Sequence, residues 1–523
     1  MKRPIVFHPI LFALYFILAV TATDSTVIFY LQAARSLIIL PIITLIVFLL
    51  VYLFVKDWHR AGFLVTLSIF IILYYGHIYR YLKGKMFLGL VIDNQILLFS
   101  LWTLFFLFLG SNFIWKRVTR PHIISNFLNI VSIIAIIYPT WITIRISYQI
   151  HEEPLTGWKR SNTLESPPIL SGSYKPDIYY IILDGYARED VLNDLYNFDN
   201  SELIDFLSSK GFIILKNSHS NYIRTPMSLA ASLNMEYINY LEEVGKDSAN
   251  WLPLKYLIDN NNVRKSLSKY GYEFISLSSG YFYTEVRNAD SYLSPYNANL
   301  NDFEQLLLTT TALEIPVEYG VINLPAFSYL THRRRILYEF DQLGNLSHTE
   351  TPKFIFAHIF TPHPPFTFDQ NGNVIEPHRP FTTSDGNNFN GTISEYRKGY
   401  IAQLSYVNKR LMELIDQMMT KDTDESIIII QADHGPGSLL DFNSSENTCF
   451  KERFSILNAL YLPHHNEYIE QFSSPVNTFR YIFNTYFNTS LPILEDKAYF
   501  STELKPYQFI DITQELDRPC ISR

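Results

Sequence analysis

The sequence predicts two domains of different class: an α-helical membrane domain of five spans over residues 1–148, and an α/β domain over 176–523 with a central, largely parallel sheet flanked by helices. Three observations predict this. Up to about residue 148 apolar runs dominate, and beyond it the composition is the mixed one of a globular protein. Three short apolar runs, at 177–183, 353–359 and 427–430, read as strands buried on both faces. The stretch 395–419 has the periodicity of an amphipathic helix that covers a sheet, which is a structural role.

The five spans are 5–22, 37–55, 63–79, 96–113 and 123–144, each near the ~20 residues that cross a bilayer. A signal peptide would account for the first alone, but no small-residue cleavage site stands out after it and four more spans follow. With the N-terminus inside, Lys2, Arg3, Lys56, Arg60, Lys116, Arg117 and Arg120 fall on the cytoplasmic side, and Arg35, Arg80, Lys83 and Lys85 fall on the other. That bias favours an inside N-terminus. An odd number of spans then carries the rest of the chain outside, which predicts a multi-pass protein of the plasma (inner) membrane with an extracytoplasmic, periplasmic-type domain.

A juxtamembrane linker rich in Pro, Ser and Gly follows over 149–175. The domain after it is long enough for a core of its own. The formal net charge of -8 is mild, and with no long basic stripe nucleic acid is not an expected partner. The two cysteines, Cys449 and Cys520, both lie in the outer part, where a disulfide and two free thiols fit the sequence equally well.

The chemistry sits at strand ends. The run 427–430 leads into Gln431, Ala432, Asp433, His434 and Gly435, and the run 177–183 leads into Asp184, Gly185 and Tyr186. Polar groups at the carboxyl ends of central strands are where open α/β sheets carry their sites. Two carboxylates brought that close require a cation or raised pKa values. The run 353–359 supplies imidazole from His358 and, beyond it, from His363. Between the first two motifs, Thr225 precedes Pro226 and a helix-compatible run of small and apolar residues. Its ordinary role there is to cap the helix; a hydroxyl beside helix N–H groups is also placed to attack phosphorus or sulfur.

Asp184-Gly, the Thr225-Pro-Met-Ser228-Leu-Ala-Ala helix start, His363 and Asp433-His434-Gly occur in an order that resembles the alkaline phosphatase and sulfatase superfamily. With the membrane spans, the whole chain resembles its membrane-anchored branch, the lipoteichoic acid synthases and lipid A phosphoethanolamine transferases. The resemblance implies an alkaline-phosphatase-like fold for the outer domain and one divalent ion, zinc or manganese, shared by Asp184, Thr225, Asp433 and His434. It makes Thr225 the nucleophile and His363 a catalytic group at the phosphate or the leaving oxygen. His358 precedes His363 by five positions, as a histidine does in the phosphoethanolamine transferases, which would make it a substrate contact; on a strand that odd spacing sets the two on opposite faces and favours a packed residue instead. Arg453 is either a substrate contact or a surface charge before a strand. The basic run 332–335 either meets lipid phosphates or forms a solvated helix face. Residues 235–345, rich in tyrosine and phenylalanine, read as an insertion that shapes the substrate pocket.

Departures from the pattern narrow the activity. Thr225 stands where sulfatases have the cysteine that becomes formylglycine, and Leu229 where they have an arginine after the serine. Gly185 replaces the second member of their first carboxylate pair. No histidine occurs near Glu446, where the phosphoethanolamine transferases carry a further one, so a second metal is not supported. The expected activity is transfer of a phosphoryl-linked alcohol from a phospholipid donor in the bilayer to an envelope glycan or lipid acceptor, through a phospho-threonine. The alternatives are a phosphate- or sulfate-ester hydrolase on the same fold and a catalytically inactive envelope sensor or scaffold.

Overall fold

The computed structural model describes residues 5–520, except 24–26, 84, 88–89, 93, 115–117, 153–168, 247, 249, 297–299, 320, 326–327, 347–348, 376–388, 390, 421–424 and 465–472. Lys2, Arg3, Lys116 and Arg117 of the charge bias, and most of the 149–175 linker, lie outside the described residues. The chain divides into two compact units. The first comprises Met1–Pro154, Tyr296–Thr331 and Pro377–Phe381; the second comprises Leu155–Pro295, His332–Glu376 and Thr382–Arg523.

The first unit is helical: α1 (His8–Thr23), α2 (Val27–Val55), α3 (Trp58–Leu73), α4 (Tyr75–Leu82), α5 (Gln95–Ile114) and α6 (Pro121–Glu152). Among the described residues, three helical stretches are long and apolar enough to cross a membrane: Gln32–Val55, Trp58–Leu82 and Pro121–Arg145. The other two expected spans fall on shorter apolar helices, His8–Ala22 and Gln95–Ser111. The first is shortened because residues 5–7 are not helical and the helix opens only at His8. On α2, Ile38, Ile42, Leu49, Leu53 and Phe54 are exposed, a surface suited to hydrocarbon. Polar groups tie the bundle internally. The His8 N–H donates to Asn129 Oδ1 at 3.0 Å, and the His8 ring meets Thr66 Oγ1 at 2.7 Å and Ser125 Oγ at 3.3 Å, linking α1, α3 and α6.

This unit also takes in the helix Asp302–Thr309, which composition alone assigns to the outer domain. Its start is held on α2: Asn301 Nδ2 donates to Gln32 O and Phe303 N to Gln32 Oε1, both at 3.0 Å, and Glu304 pairs with Arg35.

The second unit is built on a seven-stranded sheet. In chain order its strands are β1 (Ile178–Leu183), β2 (Ile213–Ile214), β3 (Glu273–Leu277), β4 (Ser291–Leu293), β5 (Lys353–Ile359), β6 (Ile427–Gln431) and β7 (Asn458–Tyr461). The spatial order is β2-β7-β6-β1-β5-β3-β4. The pairs β6–β1, β1–β5, β5–β3 and β3–β4 are parallel, and β7 is antiparallel to both its neighbours. The sheet is therefore largely parallel, as expected, and the three apolar runs of the sequence are its adjacent central strands. They are apolar throughout because each face packs on its own core. Tyr180, Ile182, Phe356 and Ile429 point into one core, and Ile181, Leu183, Ala357 and Ile430 into the other. Helix α7 (Thr225–Asn234) contributes to the first core, and α8 (Ile393–Met419) covers the second. Thr392 and Glu395 form a capping box at the start of α8.

Three further readings of the sequence change here. Cys449 and Cys520, left open above, are bonded to one another, with Cα atoms 4.8 Å apart. The basic run 332–335 is no solvated face: His332 and Arg335 are buried, and the Arg333 guanidinium lies 4.4 Å from the centre of the Phe368 ring and donates to Gly372 O. The 235–345 stretch is not one insertion, since it supplies β3 and β4 to the sheet while residues 296–331 belong to the first unit.

Candidate metal centre

Register places the acidic ends together. Ile182 on β1 lies opposite Gln431 on β6, so Asp184 and Asp433, each two residues further on, leave adjacent parallel strands at the same level. Gly185 turns the chain after β1 with φ +73°, a conformation that glycine adopts without strain. Its N–H donates to Asp433 Oδ1 at 3.1 Å, which fixes one carboxylate against the backbone carrying the other. At Gly435 a Cβ would stand 2.1 Å from Glu452 O, so the turn after His434 packs too closely for any side chain.

His434 completes the group. Its Nε2 lies 3.3 Å from Asp433 Oδ2, 3.7 Å from Asp184 Oδ1 and 3.1 Å from Thr225 Oγ1. One ligand atom from each of Asp184, Asp433 and His434 falls within a 4.8 Å span, and all three residues are buried. The other ring nitrogen, Nδ1, is 2.9 Å from Gly435 O and carries the proton, because a carbonyl can only accept. Nε2 is therefore a lone pair. Both oxygens of Asp184 and Oδ2 of Asp433 have no hydrogen-bond partner among the described residues. Buried acceptors facing one another with no donor between them are costly unless a cation sits among them.

The electrostatics agree. Burial raises the Asp184 carboxyl above its ordinary range, opposed by His363 and Arg453. Burial, then repulsion from Asp184, pushes the Asp433 carboxyl up to about 7. Burial holds the His434 ring well below its ordinary value, with Arg453 and His363 adding to the effect. Two carboxylates, a hydroxyl and a neutral imidazole make a donor set that fits zinc or manganese.

Thr225 opens α7 with Arg224 at the N-cap and Pro226 in the first turn, one residue from the position the sequence suggested. Its hydroxyl contacts His434 instead of capping the helix, and Thr225 is 6% exposed. His363 lies beyond β5, which ends at Ile359, so it is borne by the following turn and not by the strand. Its N–H donates to Asp184 O at 3.0 Å, and its ring centre is 6.1 Å from that of His434.

His358 and Arg453 depart from the blander reading of each. With His363 off the strand, the opposite-face argument no longer separates the two histidines. His358 Nε2 lies 3.3 Å from Asp184 Oδ2 and Nδ1 lies 2.8 Å from Thr284 Oγ1, so the ring is held between the centre and a buried hydroxyl. Arg453, on the short helix α9 (Phe450–Phe454), is 3% exposed and not a surface charge. It donates to Ile223 O at 2.9 Å and to Gly435 O at 3.0 Å, bracing the chain that leads to Thr225 and the turn that follows His434. Residues that motif reading missed are Thr284, Tyr281 and Arg224. Only Arg224 left a signal, as a charge directly before Thr225.

No family model and no curated protein matches the chain. Among solved structures it is similar to the C-terminal periplasmic domain of EcEptC from Escherichia coli in complex with zinc, at 12% identity and a TM-score of 0.43, covering 68% of this chain and 98% of that one. It is also similar to the C-terminal periplasmic domain of the phosphoethanolamine transferase EptC from Campylobacter jejuni, at 13% identity and a TM-score of 0.33, covering 64% and 94% of the two chains. A third is the phosphonate monoester hydrolase of Agrobacterium radiobacter, at 10% identity and a TM-score of 0.39, covering 62% and 80%.

Proposed function

We propose that the chain is a membrane-anchored transferase that moves a phosphoryl-linked alcohol, of the phosphoethanolamine or phosphoglycerol type, from a phospholipid to an envelope glycan or lipid through a phospho-threonine at Thr225. The observation that carries this reading is the cluster of buried acceptors at Asp184, Asp433 and His434, of which both Asp184 oxygens and Asp433 Oδ2 have no hydrogen-bond partner among the described residues, with the Thr225 hydroxyl 3.1 Å from His434 Nε2. A divalent ion held by these residues supplies a lowered hydroxyl pKa and offsets the negative charge of a phosphate ester.

Thr225 Oγ1 forms the new bond to phosphorus as the bond to the glyceride oxygen breaks. His363, its Nδ1–H committed to Pro364 O, takes the Thr225 proton on Nε2 and hands it to that leaving oxygen; the acceptor's hydroxyl then attacks phosphorus, its proton returning to Thr225 Oγ1 as the phospho-threonine bond breaks. His358 orients Asp184, while Arg453 sets the relative position of the Thr225 and His434 segments.

The lipid donor is supported by the first unit. Besides its apolar helices it contains a cavity of about 410 Å³ lined by Phe16, Ile39, Leu40, Ile43 and Leu308, with the Arg35–Glu304 pair in its wall. Apolar lining with one charged pair suits acyl chains below a polar headgroup. Tethering the catalytic unit to the bilayer raises the effective concentration of such a donor.

The test incubates the full chain, loaded with zinc or manganese, with phospholipid labelled in its headgroup and with envelope extract. Transfer yields diacylglycerol and a labelled acceptor together. Release of the free alcohol phosphate without a labelled acceptor would make the protein a hydrolase, and no turnover of any ester would leave the inactive scaffold.

A further inference from the structure

We infer that Arg224 is an anion-binding residue of this centre, donating to an oxygen of the phosphoryl group presented to Thr225. The inference rests on the reading of Thr225 as the nucleophile and adds a contact that no motif suggested. Arg224 is 6% exposed, yet its Nε and Nη2 have no hydrogen-bond partner among the described residues. Most buried guanidinium donors are hydrogen-bonded, and planar N–H pairs match phosphate oxygens. The nearest carboxylate oxygen, Glu503 Oε2, is 3.9 Å from Nη2, within ion-pair range but beyond a hydrogen bond, and its side chain is 44% exposed.

The surroundings hold the guanidinium in place without occupying its donors. Its carbon lies 3.5 Å from the centre of the Phe442 ring and 5.2 Å from that of Trp251. Arg453 approaches the same Phe442 ring at 5.5 Å, so a second buried cation is close by. Two neighbouring buried cations repel, and an anion beside them relieves this. Tyr281 lies beside the centre, its ring 6.4 Å from that of His358.

The test uses the full chain, with and without zinc, titrated with inorganic phosphate by calorimetry. Wild type is expected to bind phosphate, and Arg224→Gln to bind it at least about tenfold more weakly with an unchanged melting temperature. Arg224→Lys should recover part of that loss, which a purely packing role would not produce. Should Arg224→Gln fail to fold, Glu503→Gln decides: release of Arg224 from its distant carboxylate should tighten phosphate binding about twofold or more. Wild-type affinity in a folded Arg224→Gln, unaltered affinity in Glu503→Gln, or no phosphate binding by wild type overturns the inference. Failure of wild type to bind zinc instead overturns the metal reading, and the zinc-free titration still judges Arg224.

Discussion

Thr225 has two employments open to it, capping its own helix or reaching across to another strand, and its 3.1 Å contact with His434 Nε2 selects the second. Because Arg224 takes the N-cap position, loss of the Thr225 hydroxyl should cost the helix little. Thr225→Ala is therefore expected to keep its fold and bound zinc while turnover falls on the order of 10⁴-fold or more; Thr225→Ser should retain measurable turnover. Full activity in the alanine variant, assayed on the labelled phospholipid, would remove Thr225 as nucleophile. His358 acts one step further out, on Asp184. His358→Gln should weaken zinc binding about 10- to 100-fold in a competition titration, the usual consequence of freeing a metal-ligating carboxylate from its support. Unchanged affinity would return His358 to the role of packed residue that strand periodicity assigned it. That assignment was reasonable from spacing and wrong in its premise, since β5 stops at Ile359, between the two histidines.

Among elements, those whose residues meet only one environment were legible. The strands β1, β5 and β6 are buried on both faces, so their apolar runs, and the Asp residues that follow β1 and β6, could be read directly from sequence. The start of α8 could be read as well, since Thr392 and Glu395 cap it locally. Elements whose role depends on distant partners were not legible. The helix α9 carries Lys451, Glu452 and Arg453, which reads as surface, yet Glu452 accepts from Tyr196, Ser438 and Leu439, and Arg453 spans two loops. The helix Asp302–Thr309 was assigned by composition to the outer domain because nothing in its eight residues marks it for α2. The bond from Cys449, the N-cap of α9, to Cys520 closes a loop with a sequence separation of 71 and keeps the C-terminal segment beside this helix. Cys520→Ser should lower stability by about 2–4 kcal/mol in urea unfolding followed by circular dichroism, and wild type under reductant should match it. Equal stability of the variant and the oxidised protein would show that the bond contributes nothing.

At the scale of the whole molecule, the second unit buries ionisable groups of opposite tendency, and its acid stability depends on their balance. Burial raises Asp184, Asp433 and Glu339, with Arg335 opposing at Glu339. A carboxyl whose folded pKa is raised takes up its proton earlier in the fold than in the unfolded chain, so acidification through that window favours the fold. His332 works in the opposite direction. Burial, with Arg335 and His363 nearby, lowers it from 6.5 to about 3, so it stays neutral in the fold while the unfolded chain protonates below about 6.5. Its contribution is present above that pH and is lost progressively as the pH falls toward 3. Comparison of wild type with His332→Gln cancels the carboxyl contributions and leaves this one. The variant, measured by urea unfolding at pH 7 and at pH 4.5, should lose less stability between the two than wild type does, by on the order of 2–3 kcal/mol. Equal losses would mean that His332 protonates in the folded state as readily as in the unfolded one, and that its burial against Phe360 exerts no such pressure. The basic run 332–335 suggested none of this. A histidine's titration is set by what the fold packs around it, here the ring of Phe360 and the cations of its own helix.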